Sequence, residues 1–114
     1  MLLANKSIPV LTTIPPLKGK HELVLKYNEA LWKLGERYSL PIIDYHGEIT
    51  ARRPDDWLGT LISNDGVHPS AGMTAGPATE ENLSNSGYLL LAWTTLNKLV
   101  QVKTRVIDKR TESP

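Results

Sequence analysis

A chain of 114 residues fits one domain, and at that size folding buries roughly 65% of the surface the unfolded chain exposes, enough for one core. A formal charge of +1 and 6% aromatics without Phe argue against nucleic-acid and anionic-membrane partners. The absence of cysteine excludes disulfide frameworks, zinc–thiolate sites and cysteine nucleophiles. No apolar run approaches the roughly 18 residues that span a bilayer. Met1 to Lys6 is too short for a signal-peptide core, so the chain reads as soluble with no address, and its compartment stays undetermined.

Ile8 to Ile14 is β-branched and apolar on both faces, the pattern of a buried parallel strand. Pro9 stands at its start, where a missing N–H costs least, and Pro15-Pro16 stops it. From His21 to Tyr38 the period becomes helical. Leu23, Tyr27, Ala30, Leu31, Leu34 and Tyr38 form the stripe expected to face the core. Glu22–Lys26 and Glu29–Lys33 are favourable i,i+4 pairs on the polar side. Ser39-Leu40-Pro41 ends the helix, and Pro41 to Tyr45 reads as a second short strand. Strand, helix and strand with short joints predict a right-handed parallel βαβ crossover.

His46 to Ser86 lacks periodicity and is rich in Gly, Pro, Asn, Asp and Ser. It reads as a long loop, with helical turns near Arg53–Leu61 and Thr79–Leu83. A closing helix opens at Ser86-Gly87, with Ser84 or Ser86 as cap. Its expected buried stripe is Leu89, Ala92, Trp93, Leu96, Leu99 and Val100. Domain structure is expected over residues 1–102. Residues 103–114 read as a charged, frayed tail.

The chemistry concentrates in Asp65-Gly66-Val67-His68-Pro69. Hydrolytic acyl transfer needs a base beside the nucleophile and a carboxylate to fix that base's tautomer. An i,i+3 spacing in a turn can bring Asp65 and His68 to one side. The competing reading is local, because Asn-Asp-Gly is strong turn chemistry and a loop histidine is often merely solvated. Ser7, Ser39, Ser63, Ser70, Ser84 and Ser86 fit turns or caps better than a nucleophile elbow. Ser70 lies too near His68 in sequence to align for proton transfer. His46 follows a strand end, where α/β sites gather, but reads foremost as a solvated loop residue. His21 reads as surface. No recognised ligand spacing supports a metal site from Asp65, His68 and His46, and no cofactor is expected. Trp57 and Trp93 read as packing residues rather than substrate platforms, with lining of a pocket as the alternative for Trp57 in the long loop. Ser70 to Asn85 reads as a stretch that shapes substrate access or as a flexible surface loop.

The order of elements, with Asp65-Gly66-Val67-His68-Pro69 before a final helix, resembles the C-terminal half of the SGNH (GDSL-type) hydrolases. These are esterases and lipases. Pro9 to Pro16 and Tyr27-Asn28-Glu29-Ala30-Leu31 are similar to that family's fourth strand and following helix. The resemblance runs from about residue 1 to residue 102. It implies an α/β fold, a partial flavodoxin-like three-layer sandwich with a parallel sheet, truncated at its N-terminus. It implies that His68 is the general base of a Ser-His-Asp triad and that Asp65 orients it. The family's Gly-Asp-Ser nucleophile segment, oxyanion glycine and Gly-x-Asn-Asp segment have no counterpart here. Ser63-Asn64-Asp65 lies inside the final block and is not the Asn-Asp segment. The expected partner is a small ester or acylated carbohydrate, once an N-terminal half completes the site. The alternative is an inactive remnant that binds or scaffolds. The edge of Ile8 to Ile14 is expected to be open to self-association.

Overall fold

The computed structural model describes residues 7–72 and 76–107, with the side chains of 106 and 107 left out. The segments 1–6, 73–75 and 108–114, including most of the expected tail, lie outside the described residues. The chain is mixed α/β. Strand β1 (Leu11–Thr12) leads through helix α1 (His21–Tyr38) to strand β2 (Ile42–Ile43). Helices α2 (Tyr45–Arg52), α3 (Glu80–Leu83) and α4 (Gly87–Val102) follow.

The predicted parallel pairing is present, with Leu11 opposite Ile42 and Thr12 opposite Ile43. Both strands are shorter than their apolar runs. In β1, Leu11 N–H donates to Pro41 C=O and Thr13 N–H to Ile43 C=O, each at 3.0 Å. Ile14 then leaves the ladder, because its N–H donates to Asn28 Oδ1 at 2.7 Å and its C=O accepts from Asn28 Nδ2 at 2.9 Å. β1 is also not buried on both faces, since Leu11 is half-buried and Thr12 exposed. β2 stops at Ile43 because Asp44 caps α2, its Oδ1 accepting from Gly47 N–H at 3.1 Å.

The α1 boundaries match the sequence period. Ser39 ends the helix in the left-handed region (φ 53°), and Leu40 N–H returns to Gly35 C=O at 2.9 Å. The buried face differs from the predicted stripe. Val24, Asn28 and Gly35 are inside, while Leu23, Tyr27 and Leu34 are 49%, 56% and 41% exposed. The helix is turned by about one residue, roughly 100°, which brings Asn28 onto Ile14 and Gly35 onto Ile42. A Cβ at Gly35 would lie 2.5 Å from Ile42 Cδ1, so the approach of helix to strand depends on glycine there.

Most of the core lies outside the sheet. Tyr45, Ile49, Leu61, Ile62, Leu83, Leu89 and Leu90 form one buried cluster, with Trp57, Leu91 and Trp93 packed against it. It draws on α2, α3, α4 and the segment 57–62; apart from α4, and Tyr45, which was read as the end of the second strand, these come from the region read as loop. Full burial of an Ile or Leu is worth about 1.5–3 kcal/mol, and Ile49, Leu61, Ile62 and Leu90 are all 0% exposed. α2 is a correction to the loop reading. Its eight residues include Gly47 and are too few to establish a period. The turn expected near Thr79–Leu83 is α3, capped by the Thr79 side chain on Asn82 N–H. Ser86 caps α4, its Oγ accepting from Leu89 N–H at 3.2 Å.

The buried face of α4 is Leu89, Leu90, Thr94 and Val102. Of the predicted stripe, Trp93 packs against the core, but Ala92, Leu96, Leu99 and Val100 are exposed. α4 packs against α2, α3 and β2, and of its later apolar residues Val102 is buried while Leu96, Leu99 and Val100 stay outside. Lys103–Ile107 continues α4 as a π-helical turn, where fraying was expected.

Candidate functional site

Asp65 and His68 stand on a tight turn after the buried pair Leu61-Ile62. Gly66 N–H donates to Ser63 C=O at 2.9 Å, and Ser63 N–H to His68 C=O at 2.8 Å, which closes the turn on itself. Gly66 takes φ +75°, and a Cβ there would collide with the Lys18 side chain. Glycine is required on both counts. Lys18 N–H donates to Gly66 C=O at 2.9 Å. This bond ties the turn to the segment that leaves the C-terminal end of β1.

Within the turn the Asp65 carboxylate is fully engaged. Oδ1 accepts from Val67 N–H at 2.9 Å and His68 N–H at 3.0 Å, while Oδ2 lies 2.6 Å from His68 Nδ1. The bond to the His68 side chain, then those from the two backbone N–H groups, lower the Asp65 pKa to about 2. The carboxylate is therefore an acceptor at neutral pH, and the neutral imidazole carries its proton on Nδ1. That leaves Nε2 as the basic nitrogen, with no hydrogen bond to a described residue. Both side chains face water, His68 at 68% and Asp65 at 49% exposure. Such a pair can take a proton from a hydroxyl placed at Nε2 and return it to a leaving group.

No serine of the described chain occupies that position. Ser70 Oγ accepts from Gly87 N–H at 2.9 Å, and Ser70 N–H donates to Leu61 C=O at 2.9 Å. Ser63 Oγ donates to Pro69 C=O, and Ser86 Oγ to Ala71 C=O. Ser39 and Ser84 terminate helices. Ser7 is exposed near the start of the described residues.

His46 makes no hydrogen bond or ion pair with Asp65 or His68. It occupies the first turn of α2 and its N–H donates to Thr13 Oγ1 at 2.9 Å. Burial lowers its pKa, opposed by Asp44 and reinforced by His21. His21 is exposed. Among the described residues no three or more His, Asp or Glu gather to hold a metal, and none of the described helices is long and apolar enough to cross a membrane. Trp57 packs on the core. The described part of Ser70 to Asn85 is anchored by Arg53, whose Nε donates to Ser84 C=O at 2.8 Å and Nη2 to Asn85 Oδ1 at 2.6 Å.

Sequence reasoning missed the polar link that joins the two strand ends. Thr13 Oγ1 donates to Asp44 Oδ1 at 3.2 Å while accepting from His46 N–H. A Thr closing an apolar run and an Asp closing the next were the available signal. Comparison with family models, curated proteins and solved structures finds no match.

Proposed function

We propose that this chain supplies the acid–base pair of an SGNH-type ester hydrolase, with the nucleophile and oxyanion donors contributed by residues outside it. His68 acts as general base and then general acid, and Asp65 orients it. The parallel β1–β2 pair with α1 between them serves, in this reading, as part of a flavodoxin-like three-layer sandwich. The observation that carries the proposal is the 2.6 Å contact between Asp65 Oδ2 and His68 Nδ1. It leaves Nε2 as the free basic nitrogen, the division of roles a serine–histidine–aspartate triad requires. The substrate class is a small ester or acylated carbohydrate.

A second reading, a non-catalytic binding or structural module, is favoured by one observation. The serines nearest His68 in sequence, Ser63 and Ser70, are held by backbone groups.

Hydrolysis of short p-nitrophenyl esters separates the two. The chain alone should be no faster than its His68→Ala variant, because water attack assisted by one imidazole is weak. Co-expression with a segment bearing a Gly-Asp-Ser nucleophile block should produce turnover that His68→Ala abolishes. Turnover by the chain alone that depends on Ser70 or another internal serine would refute the proposal. Failure of every such segment to yield His68-dependent turnover would favour the binding module.

A further inference from the structure

A groove runs between α1 and α4 beside β2, and its lining includes neither Asp65 nor His68 nor any residue of β1. It consists of two open clefts of about 400 and 360 Å³ that share Trp32, Ile42 and Lys98. Each is near the lower end of the roughly 300–1,000 Å³ of small-molecule sites.

Its aromatic surface comes from both helices. Trp32 on α1 is 47% exposed. Trp93 on α4 packs against the core and carries the Arg52 guanidinium 5.5 Å from its ring centroid. An added cation at Trp93 would have to approach that guanidinium, so the groove is not a cage for ammonium ligands.

The charges nearly cancel. Glu36, Asp44 and Glu48 line the groove, as does Lys98. Glu48 is paired with Arg52, and Asp44 Oδ1 is occupied by Thr13 and Gly47. Three carboxylates against Lys98 and Arg52 leave a single negative charge, that of the solvent-exposed Glu36, which disfavours an anion. The remaining polar groups are of mixed kind. The side-chain amides of Asn97 and Gln101, the Lys98 ammonium and Asp44 Oδ2 line the same space, and none is bonded to another described residue. Together they offer donors and acceptors within one cleft.

We propose that this groove binds a neutral carbohydrate, with a pyranose ring stacked on Trp32. A pyranose has an apolar C–H face that suits an indole, and hydroxyls that both donate and accept around its rim. It carries no charge for the lining to oppose. The site is independent of the hydrolase reading, because it shares no residue with the Asp65–His68 turn.

The test is a titration of the full chain with methyl glycosides of glucose, galactose, mannose, xylose and N-acetylglucosamine, with tetramethylammonium as the cationic comparison. Tryptophan indole N–H resonances report binding. At least one glycoside should shift the Trp32 signal saturably. Trp32→Phe should retain binding, and Trp32→Ala should weaken it about tenfold, the upper range for losing one aromatic contact. Asn97→Ala should also weaken it, and His68→Ala should leave it unchanged. Trp32 and Asn97 are both exposed, so neither replacement removes a core contact. When Trp32 is replaced, the Trp93 signal provides the readout. Absence of a saturable shift with every glycoside, a response to tetramethylammonium instead, or binding undiminished in Trp32→Ala would each overturn the proposal.

Discussion

Asn28 holds both backbone groups of Ile14, accepting its N–H at 2.7 Å and donating to its C=O at 2.9 Å. One helical side chain thus stands where a neighbouring strand would pair, and fixes α1 against the end of β1. Asn28 is only 6% exposed, so removing the amide leaves two backbone groups without a partner.

Asn28→Ala should therefore destabilise the fold by about 1–3 kcal/mol, the cost of unpaired buried polar groups. Asn28→Asp should do no better, because it keeps an acceptor for the N–H but turns an oxygen toward the carbonyl. Urea unfolding measures both. A midpoint for Asn28→Ala equal to that of the parent would show that this contact does not hold the helix.

The Asp65–His68 turn predicts a tautomer and a pH window. Nitrogen-15 spectra of the neutral His68 ring should show the proton on Nδ1, and Asp65→Asn should disturb that preference. The Asp65 carboxyl should titrate near 2, against about 3.9 in an unfolded chain. Because the folded value is the lower, the unfolded chain binds more protons in that interval. The carboxylate's contribution is complete above about pH 3.9 and is lost as pH falls toward 2. His68→Ala should return the Asp65 midpoint toward the ordinary value. An ordinary midpoint in the parent chain would mean that the ring and backbone bonds do not persist in solution.

Gly87 marks a close approach of α4 to the residues on either side of the Asp65–His68 turn. A Cβ there would run into Leu61 C=O and lie 2.8 Å from Ser70 N. Both obstacles are backbone and cannot swing aside. Gly87→Ala should cost about 1–3 kcal/mol or more through overpacking. Gly19→Ala is the control, since its Cβ would meet nothing within 4 Å and only its φ of +73° opposes the change. That strain should cost about 1–2 kcal/mol. Tyr45→Phe removes the bond from the Tyr45 hydroxyl to Gly87 C=O at 2.8 Å and should cost about 1 kcal/mol. Thermal melts compare the three, and Gly87→Ala no worse than Gly19→Ala would contradict the close approach.

These contacts show what the sequence could convey. The limits of α1 were readable because an 18-residue helix repeats its period five times, and Ser39-Leu40-Pro41 cannot continue it. The Asp65–His68 bond was readable because spacing within one turn is local. Which face of α1 packs was not readable, since Leu23 and Tyr27 are as apolar as Val24. The choice fell to Asn28, a polar residue whose partner lies 14 positions away. α2 escaped notice because its eight residues contain a glycine and bury only Tyr45 and Ile49. The core role of Leu61, Ile62 and Leu83 was hidden by the turn residues around them. Burial there is decided by tertiary contact rather than by period.

The apolar surface left outside predicts how the chain behaves in solution. Leu23, Tyr27 and Leu34 lie on one face of α1 at 49%, 56% and 41% exposure, and Leu96 and Val100 on α4 are each 62% exposed. β1 adds an edge. Its bonds to β2 use Leu11 and Thr13, so the N–H and C=O of Thr12 point away from the sheet. An unpaired edge is a template for association, and apolar stripes beside it strengthen the tendency. The purified chain should therefore run above its 12.7 kDa monomer mass in size-exclusion chromatography with light scattering, and increasingly so at higher concentration. Tyr27→Lys combined with Leu34→Lys places two charges on the exposed stripe without touching Val24, Asn28 or Gly35. It should shift the population toward monomer. Val24→Lys would instead place a charge in the buried face and should unfold the chain, which separates surface from core effects. A parent chain that stays monomeric at high concentration and melts cooperatively above about 60 °C, high in the mesophile range, would show that these faces need no partner.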